Sequence, residues 1–189
     1  MIRPERLGSA TQKWSVLWYA ATIGLNKARY DPISAATDVP WFVIGIIHGL
    51  ECSFDFSRHL FNGDPLDDYT KRYPAGYPRD RGAPPFSFAA SAISALRYDH
   101  LDGHQDWTLA RTLHRLEQYN GLSYRTKLKM ASPYLWSFTT LYDIGKFKEI
   151  PRPGGGYQSV YDPNLRSKQC GAGTMLKALL DARTLPAMA

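Results

Sequence analysis

The chain lacks most of the features that assign a function class at sight. Its only cysteines, Cys52 and Cys170, are too few for a disulfide framework. A single bridge between them stays open, but two free buried thiols in a chain folded in a reducing compartment are expected. No apolar run approaches the ~18–20 residues of a membrane span, so no stable span is expected. There is no dense Lys/Arg run, zinc-finger spacing or RNA-recognition motif, so nucleic acid is not an expected partner. No HExxH pattern occurs, and His100, Asp102 and His104 surround Gly103 in a polar segment that reads as solvated loop. Gly154-Gly155-Gly156 lacks the Lys-Ser/Thr of a phosphate loop. Neither a metal nor another cofactor is expected. Repeats, heptads and low-complexity tracts are absent.

An ordinary secretory signal is also missing. The apolar stretch Trp14 to Leu25 is short and has no small-residue cleavage site. Its helical stripe, Trp14, Leu17, Trp18, Ala21 and Leu25, predicts an amphipathic helix packed on a core. The expectation is synthesis in the cytoplasm without a signal peptide.

What the chain does have is length, rings and positive charge. Its 189 residues suit one domain over 1–189 with a real core. Five Trp, 12 Tyr and 8 Phe can build that core or line a carbohydrate cleft, where a ring face stacks on the C–H face of a sugar. A formal net charge of +6 favours an anionic partner, and nucleic acid, membrane and bacterial wall polymers all have that sign.

The pattern predicts a mainly α protein. A first helix is expected over about 10–29, ending before Asp31-Pro32. A second should start near Asp38 as N-cap, with Pro40 in its first turn, and run through Cys52. This second segment is apolar nearly all round, which suits a helix through the middle of a domain; its β-branched content also fits a buried strand. Residues 57–86 are rich in Asn-Gly, Pro and Gly, and read as loop with at most one short hairpin. So long an irregular stretch is commonly functional or mobile. Further helices are expected over Phe88–Tyr98 capped by Ser87, Trp107–Tyr119 capped by Asp106, Pro133–Asp143, and 167–183. Pro151 to Tyr157 reads as turn or linker.

Glu51 is the first candidate for chemistry. It ends an apolar helix, and a carboxyl against apolar walls is hard to ionise, so its pKa should rise. A glycosidase needs such an acid to protonate the departing glycosidic oxygen. The plain alternative is a Glu that points to solvent or pairs with Arg58. His48 and Cys52, four apart on the same helix, allow a thiol–imidazole reading. That reading is disfavoured because Cys52 lies near the helix C-terminus, the wrong end of the dipole for a thiolate.

The run Ile46-Ile47-His48-Gly49-Leu50-Glu51-Cys52-Ser53-Phe54 resembles the catalytic segment of lysozyme-like peptidoglycan hydrolases and lytic transglycosylases. There a helix ends in the catalytic Glu, typically followed by Ser, before a β-hairpin or loop; here Cys52 takes the place of the Ser. Gln118-Tyr119-Asn120-Gly121-Leu122-Ser123-Tyr124 resembles the Tyr-Asn helix end that helps bind sugar beside the acid. Three further blocks fit the same pattern: Asn62-Gly63-Asp64-Pro65-Leu66, Ser132-Pro133-Tyr134-Leu135-Trp136-Ser137, and Gln169-Cys170-Gly171-Ala172. The resemblance covers about residues 38–180.

It implies an α+β lysozyme-like fold with a loop or hairpin after the catalytic helix, and a cleft between that helix, the 57–86 loop and the Tyr119-Asn120 region. It further implies cleavage of the β-1,4 bond between N-acetylmuramic acid and N-acetylglucosamine, with Glu51 as acid and Tyr119, Asn120 and Tyr124 holding glycan. Asn120 also reads as a helix C-cap, given Asn120-Gly121. Asp64 and Thr70 have the six-residue offset of the Asp and Thr of phage lysozymes. The loop between Glu51 and Asp64 is longer than in that pattern, and Asp55, Asp67 and Asp68 compete. A partner carboxylate ~5–5.5 Å from the acid implies a retaining nucleophile and ~6.5–9.5 Å an inverting base; with none, the sugar's own 6-hydroxyl can close an anhydro ring. The expected protein is a monomeric phage-type lysin that reaches the cell wall through a separate pore or on a particle. Its partners are peptidoglycan strands and anionic envelope polymers. Chitin or chitosan cleavage and non-catalytic wall binding are the rival readings.

Overall fold

The computed structural model describes residues 10–103, 106–153, 156–185 and 188. Among these, the chain is mainly helical, with eight helices and one two-stranded antiparallel sheet. The helices are α1 (Ala10–Leu25), α2 (Lys27–Thr37), α3 (Trp41–Cys52), α4 (Phe88–Tyr98), α5 (Leu109–Tyr119), α6 (Ser123–Thr126), α7 (Pro133–Trp136) and α8 (Ala172–Asp181). The strands β1 (Lys146–Pro151) and β2 (Tyr157–Asp162) pair with Lys146 opposite Asp162 and Pro151 opposite Tyr157. No single helix among the described residues is long and apolar enough to cross a membrane.

Helix α3 is the axis of the fold. Every residue from Phe42 to Gly49 is buried, and α1, α2, α5 and α8 pack around it. Only a helix apolar on all sides can be enclosed in this way. The segment is helix, not strand, but it starts later than its sequence signals suggest. Asp38 closes α2 in a left-handed conformation (φ 60°), its N–H donating to the Ser34 carbonyl, and Pro40 takes the cap position of α3. At the far end Ser53 and Phe54 both have positive φ (52° and 63°), turning the chain sharply out of the helix just after Glu51 and Cys52.

The expected helix over 10–29 is in fact two. It breaks at Asn26, whose side-chain amide caps back onto the Thr22 carbonyl at 2.9 Å, and α2 then runs through Pro32. Tyr30, Ile33 and Thr37 of α2 are buried against α3 and α4, which outweighs the backbone bond a proline removes. The stripe on α1 also faces the other way from expectation: Trp14 is 72% exposed and Leu25 86%. Val16, Ala20 and Ile23 point inward instead. Their smaller side chains allow close approach, such that a Cβ on Gly45 of α3 would lie 2.7 Å from Ile23.

Helix α4 matches its predicted bounds, with the Ser87 hydroxyl accepting from the Ala90 N–H. Helix α5 begins at Leu109, two residues after its predicted start, while Asp106 accepts from the Thr108 N–H one step ahead. Residues 133–143 hold a single turn, α7, and the last helix is shorter than 167–183. The stretch 57–86 contains no strand, only an isolated bridge between Arg58 and Pro65. The hairpin lies instead at 146–162, flanking the predicted turn, in which Gly154 and Gly155 fall outside the described residues. His104 lies outside them as well.

Where α8 meets the loop after α7, there is no room for a side chain. A Cβ on Gly171 would sit 2.3 Å from the Leu135 carbonyl oxygen and 2.8 Å from the Ser137 nitrogen, both backbone atoms. Gly171→Ala should therefore destabilise the fold by roughly 1–3 kcal/mol, as overpacking does. Urea unfolding measures this; an unchanged midpoint contradicts the packing described.

Candidate active site

Glu51 sits on the last turn of α3 and points into a cleft of about 130 Å³. The rest of the lining comes from Asn120, Tyr124, Tyr134, Lys146, Ser167 and Gln169, with smaller contributions from their neighbours. The cleft is smaller than the ~300–1,000 Å³ that buries a drug-sized ligand, so it admits one group of a larger molecule. A second depression of about 350 Å³ shares Ser167 with it and carries Phe138 and Tyr142.

Glu51 keeps some exposed surface as a residue, but its carboxyl is enclosed by protein. Burial is the main cause that pushes its pKa up, to about 7. The Tyr134 hydroxyl donates to Oε1 at 3.2 Å and opposes that rise by favouring the carboxylate. The negative charge of Asp99 adds to it, and the Arg72 guanidinium lowers it. Asp99 closes α4; burial lifts its own pKa to about 6. The site thus holds a carboxylic acid that keeps its proton through the mildly acidic range and ionises near pH 7.

Several contacts fix this geometry. The Gln169 amide donates to the Leu50 carbonyl at 2.6 Å, tying the segment before α8 to the end of α3. The Tyr124 hydroxyl accepts from the Phe147 N–H at 2.8 Å, and the two rings meet edge to face at 5.1 Å, which holds the 146–162 hairpin against the cleft. Asn120 lines the cleft from the C-cap position of α5 and is exposed there. Tyr119 is adjacent but does not line the cleft; its hydroxyl donates to the Leu60 carbonyl at 2.9 Å.

Asp64 and Thr70 lie in the loop after α3, outside the cleft lining. The Asp64 carboxylate accepts from the Lys71 and Arg72 N–H groups (2.8 and 2.9 Å) and from Arg72 Nε at 2.7 Å. These bonds outweigh its desolvation and hold its pKa below the ordinary value. Thr70 donates to the Pro74 carbonyl at 2.5 Å and accepts from the Tyr77 N–H at 3.0 Å. Both side chains are committed to shaping the loop. That loop nevertheless reaches the acid's helix: Gly63, at φ +73°, passes so close that a Cβ there would be 2.6 Å from the Glu51 carbonyl oxygen. The expected wall from 57–86 is replaced, in the cleft itself, by α7, the hairpin and residues 167–170.

The thiol–imidazole pair does not form. Cys52 donates to the His59 carbonyl at 3.2 Å and burial raises its pKa far above the thiol range; His48 pairs with the Tyr30 hydroxyl at 3.0 Å. Burial pushes His48 down to about 4, so it is neutral. Both cysteines are free and buried. Among the described residues no group of three or more His, Cys, Asp or Glu is placed to hold a metal.

Sequence reasoning missed three contributors: Asp99, Lys146 and the role of Tyr134. Asp99 follows an ordinary helix end and Lys146 starts a strand that sequence did not predict. Tyr134 lies within the 132–137 stretch, and nothing in that stretch alone points its hydroxyl at Glu51. No protein-family model matches the chain. No curated protein and no solved structure matches it either.

The raised acid carries a pH signature in stability. The folded chain holds the Glu51 proton more tightly than the unfolded one, so this contribution is complete below the ordinary value of 4.5 and is lost as pH rises through about 7. The loss is on the order of 3 kcal/mol for a shift from 4.5 to about 7. Glu51→Gln cannot titrate. Relative to the parent, its melting temperature should improve between pH 4 and pH 8, and a constant difference across that range contradicts an enclosed acid.

Proposed function

We propose that the chain is a peptidoglycan glycosidase that cleaves the β-1,4 bond between N-acetylmuramic acid and N-acetylglucosamine, with Glu51 as general acid. One observation carries the reading. Of the five blocks that resemble the lysozyme and lytic transglycosylase pattern, four, spread from residue 46 to residue 172, each bring one side chain to a single cleft, Glu51, Asn120, Tyr134 and Gln169, while the block at 62–66 stays outside it. Chance resemblance in separate short motifs gives no reason for them to converge.

In this reading the protonated Glu51 gives its proton to the glycosidic oxygen as the C–O bond breaks and an oxocarbenium-like cation develops. The carboxylate left behind is stabilised by the Tyr134 hydroxyl. It then takes a proton from the nucleophile that closes the reaction. Among the described residues Glu51 is the only carboxylate lining the cleft, and Asp64 is held in the loop. This favours one group acting as acid and then base, with either water or the sugar's 6-hydroxyl as nucleophile. The amides of Asn120 and Gln169 suit the hydroxyl and acetamido groups of a glycan. The substrate lies outside the compartment in which the chain is made, reached by a separate pore or on a particle.

Mass spectrometry of muropeptides after digestion tests this. The parent chain should release glycan fragments ending in a reducing sugar or an anhydro-muramoyl residue, and Glu51→Gln should cut at least ~10³-fold slower with its fold intact. Peptidoglycan left whole by the parent sinks the proposal, and chitin fragments in place of muropeptides assign it to the rival polymer. Tyr134→Phe removes a donor that favours ionised Glu51, so its pKa should rise. The alkaline limb of the kcat/KM profile should move to higher pH; movement to lower pH contradicts the assigned role of that hydroxyl.

A further inference from the structure

We infer that Lys146 is the residue by which this cleft recognises a carboxylate carried by its glycan, and so distinguishes muramoyl strands from neutral ones. The inference rests on the glycosidase reading and adds a specificity determinant to it. Lys146 is the first residue of β1, half-buried, and the only cation lining the cleft that holds Glu51. Its place is fixed, because the next residue, Phe147, is bonded through its N–H to Tyr124 and packs its ring against Tyr124 and, at 5.5 Å, Tyr161.

Among the described residues the amine has no counter-ion. Its cross-strand partner is Asp162, yet that carboxylate is taken by Lys148 at 2.7 Å. Among the described residues Lys146 makes no ion pair at all. Nor is it matched to the acid, for the charges that bear on Glu51 are those of Asp99 and Arg72. The other polar groups of the lining, Asn120, Ser167, Gln169 and the two tyrosines, are neutral. An anionic group on the ligand would find this ammonium unpaired and gain a charge-assisted hydrogen bond with it.

The two glycan classes differ in just this respect. N-Acetylglucosamine polymers carry no charge, whereas a muramoyl residue bears a lactyl ether at O3. Its carboxyl is free on stripped strands; on intact strands it is amidated, and the carboxylates belong to the peptide stem. The shared chemistry is a carboxylate beside the scissile bond.

Calorimetric titration separates these cases. In a Glu51→Gln background, which binds without cutting, three ligands are compared: a short muramoyl glycan with free lactyl carboxylates, its methylamide, and the peptide-bearing form. Lys146→Met should weaken binding of a carboxylate-bearing ligand about tenfold and leave the methylamide within about twofold, with Lys146→Arg keeping most of the affinity. A loss on the free lactyl form locates the anion at O3, and a loss on the peptide-bearing form alone locates it in the stem. Equal loss on all three, or none, overturns the inference. Digestion of intact strands by the parent chain runs in parallel: cutting with affinity indifferent to Lys146 removes this inference alone, while neither cutting nor binding removes the glycosidase reading beneath it.

Discussion

Enclosing one carboxyl group organises this molecule. An ionised carboxylate loses far more solvation than a neutral acid when water is taken away, so a Glu placed at the end of a buried helix either pairs with a cation or keeps its proton. Glu51 keeps its proton. Among the described residues no ion pair to it forms; a tyrosine hydroxyl bonds to it, and the negative charge of Asp99 works against ionisation. The apolar length of α3 is what allows this. It carries the acid inside on a helix surrounded by α1, α2, α5 and α8, and the two left-handed residues after Cys52 stop the chain before it can carry Glu51 into solvent.

The remainder of the cleft is assembled from parts that have no local reason to meet. The loop after α3 braces the helix end through Gly63 and closes on itself through Asp64, Asn62 and Thr70. The segment before α8 reaches back to the Leu50 carbonyl, while Tyr124 secures the hairpin that brings Lys146. Asp64 and Thr70 show how a residue pair with catalytic spacing can serve architecture instead: every strong acceptor and donor on them is engaged within the loop. A compact acid site and a well-ordered loop beside it are thus two halves of one construction.

Sequence made the central facts legible and left the periphery hidden, for physical reasons. Glu51 stood out because an acid near the end of a twelve-residue, almost wholly apolar helix is a local anomaly, and α4 because Ser87 is a strong cap before a small-residue helix. The face of α1 was misread since both of its sides are apolar; size, not polarity, chose Val16, Ala20 and Ile23 for the interior. Asp38 has the chemistry of a helix start and was used for a helix end, a choice decided by φ 60° and the approach of α2 to α3. The hairpin was obscured by Pro151 and the glycines between its strands, and with it went Lys146. Asp99 bears on the acid through space alone, a relation no local pattern encodes.

The account stands on the protonation state of a single side chain. Difference infrared spectroscopy of the parent against Glu51→Gln, recorded from pH 4 to 9, isolates the C=O stretch of that carboxyl. A protonated band that persists at pH 6 and titrates away near pH 7 is the predicted result. A carboxylate already formed by pH 5.5 contradicts it, and with it the assignment of Glu51 as the acid.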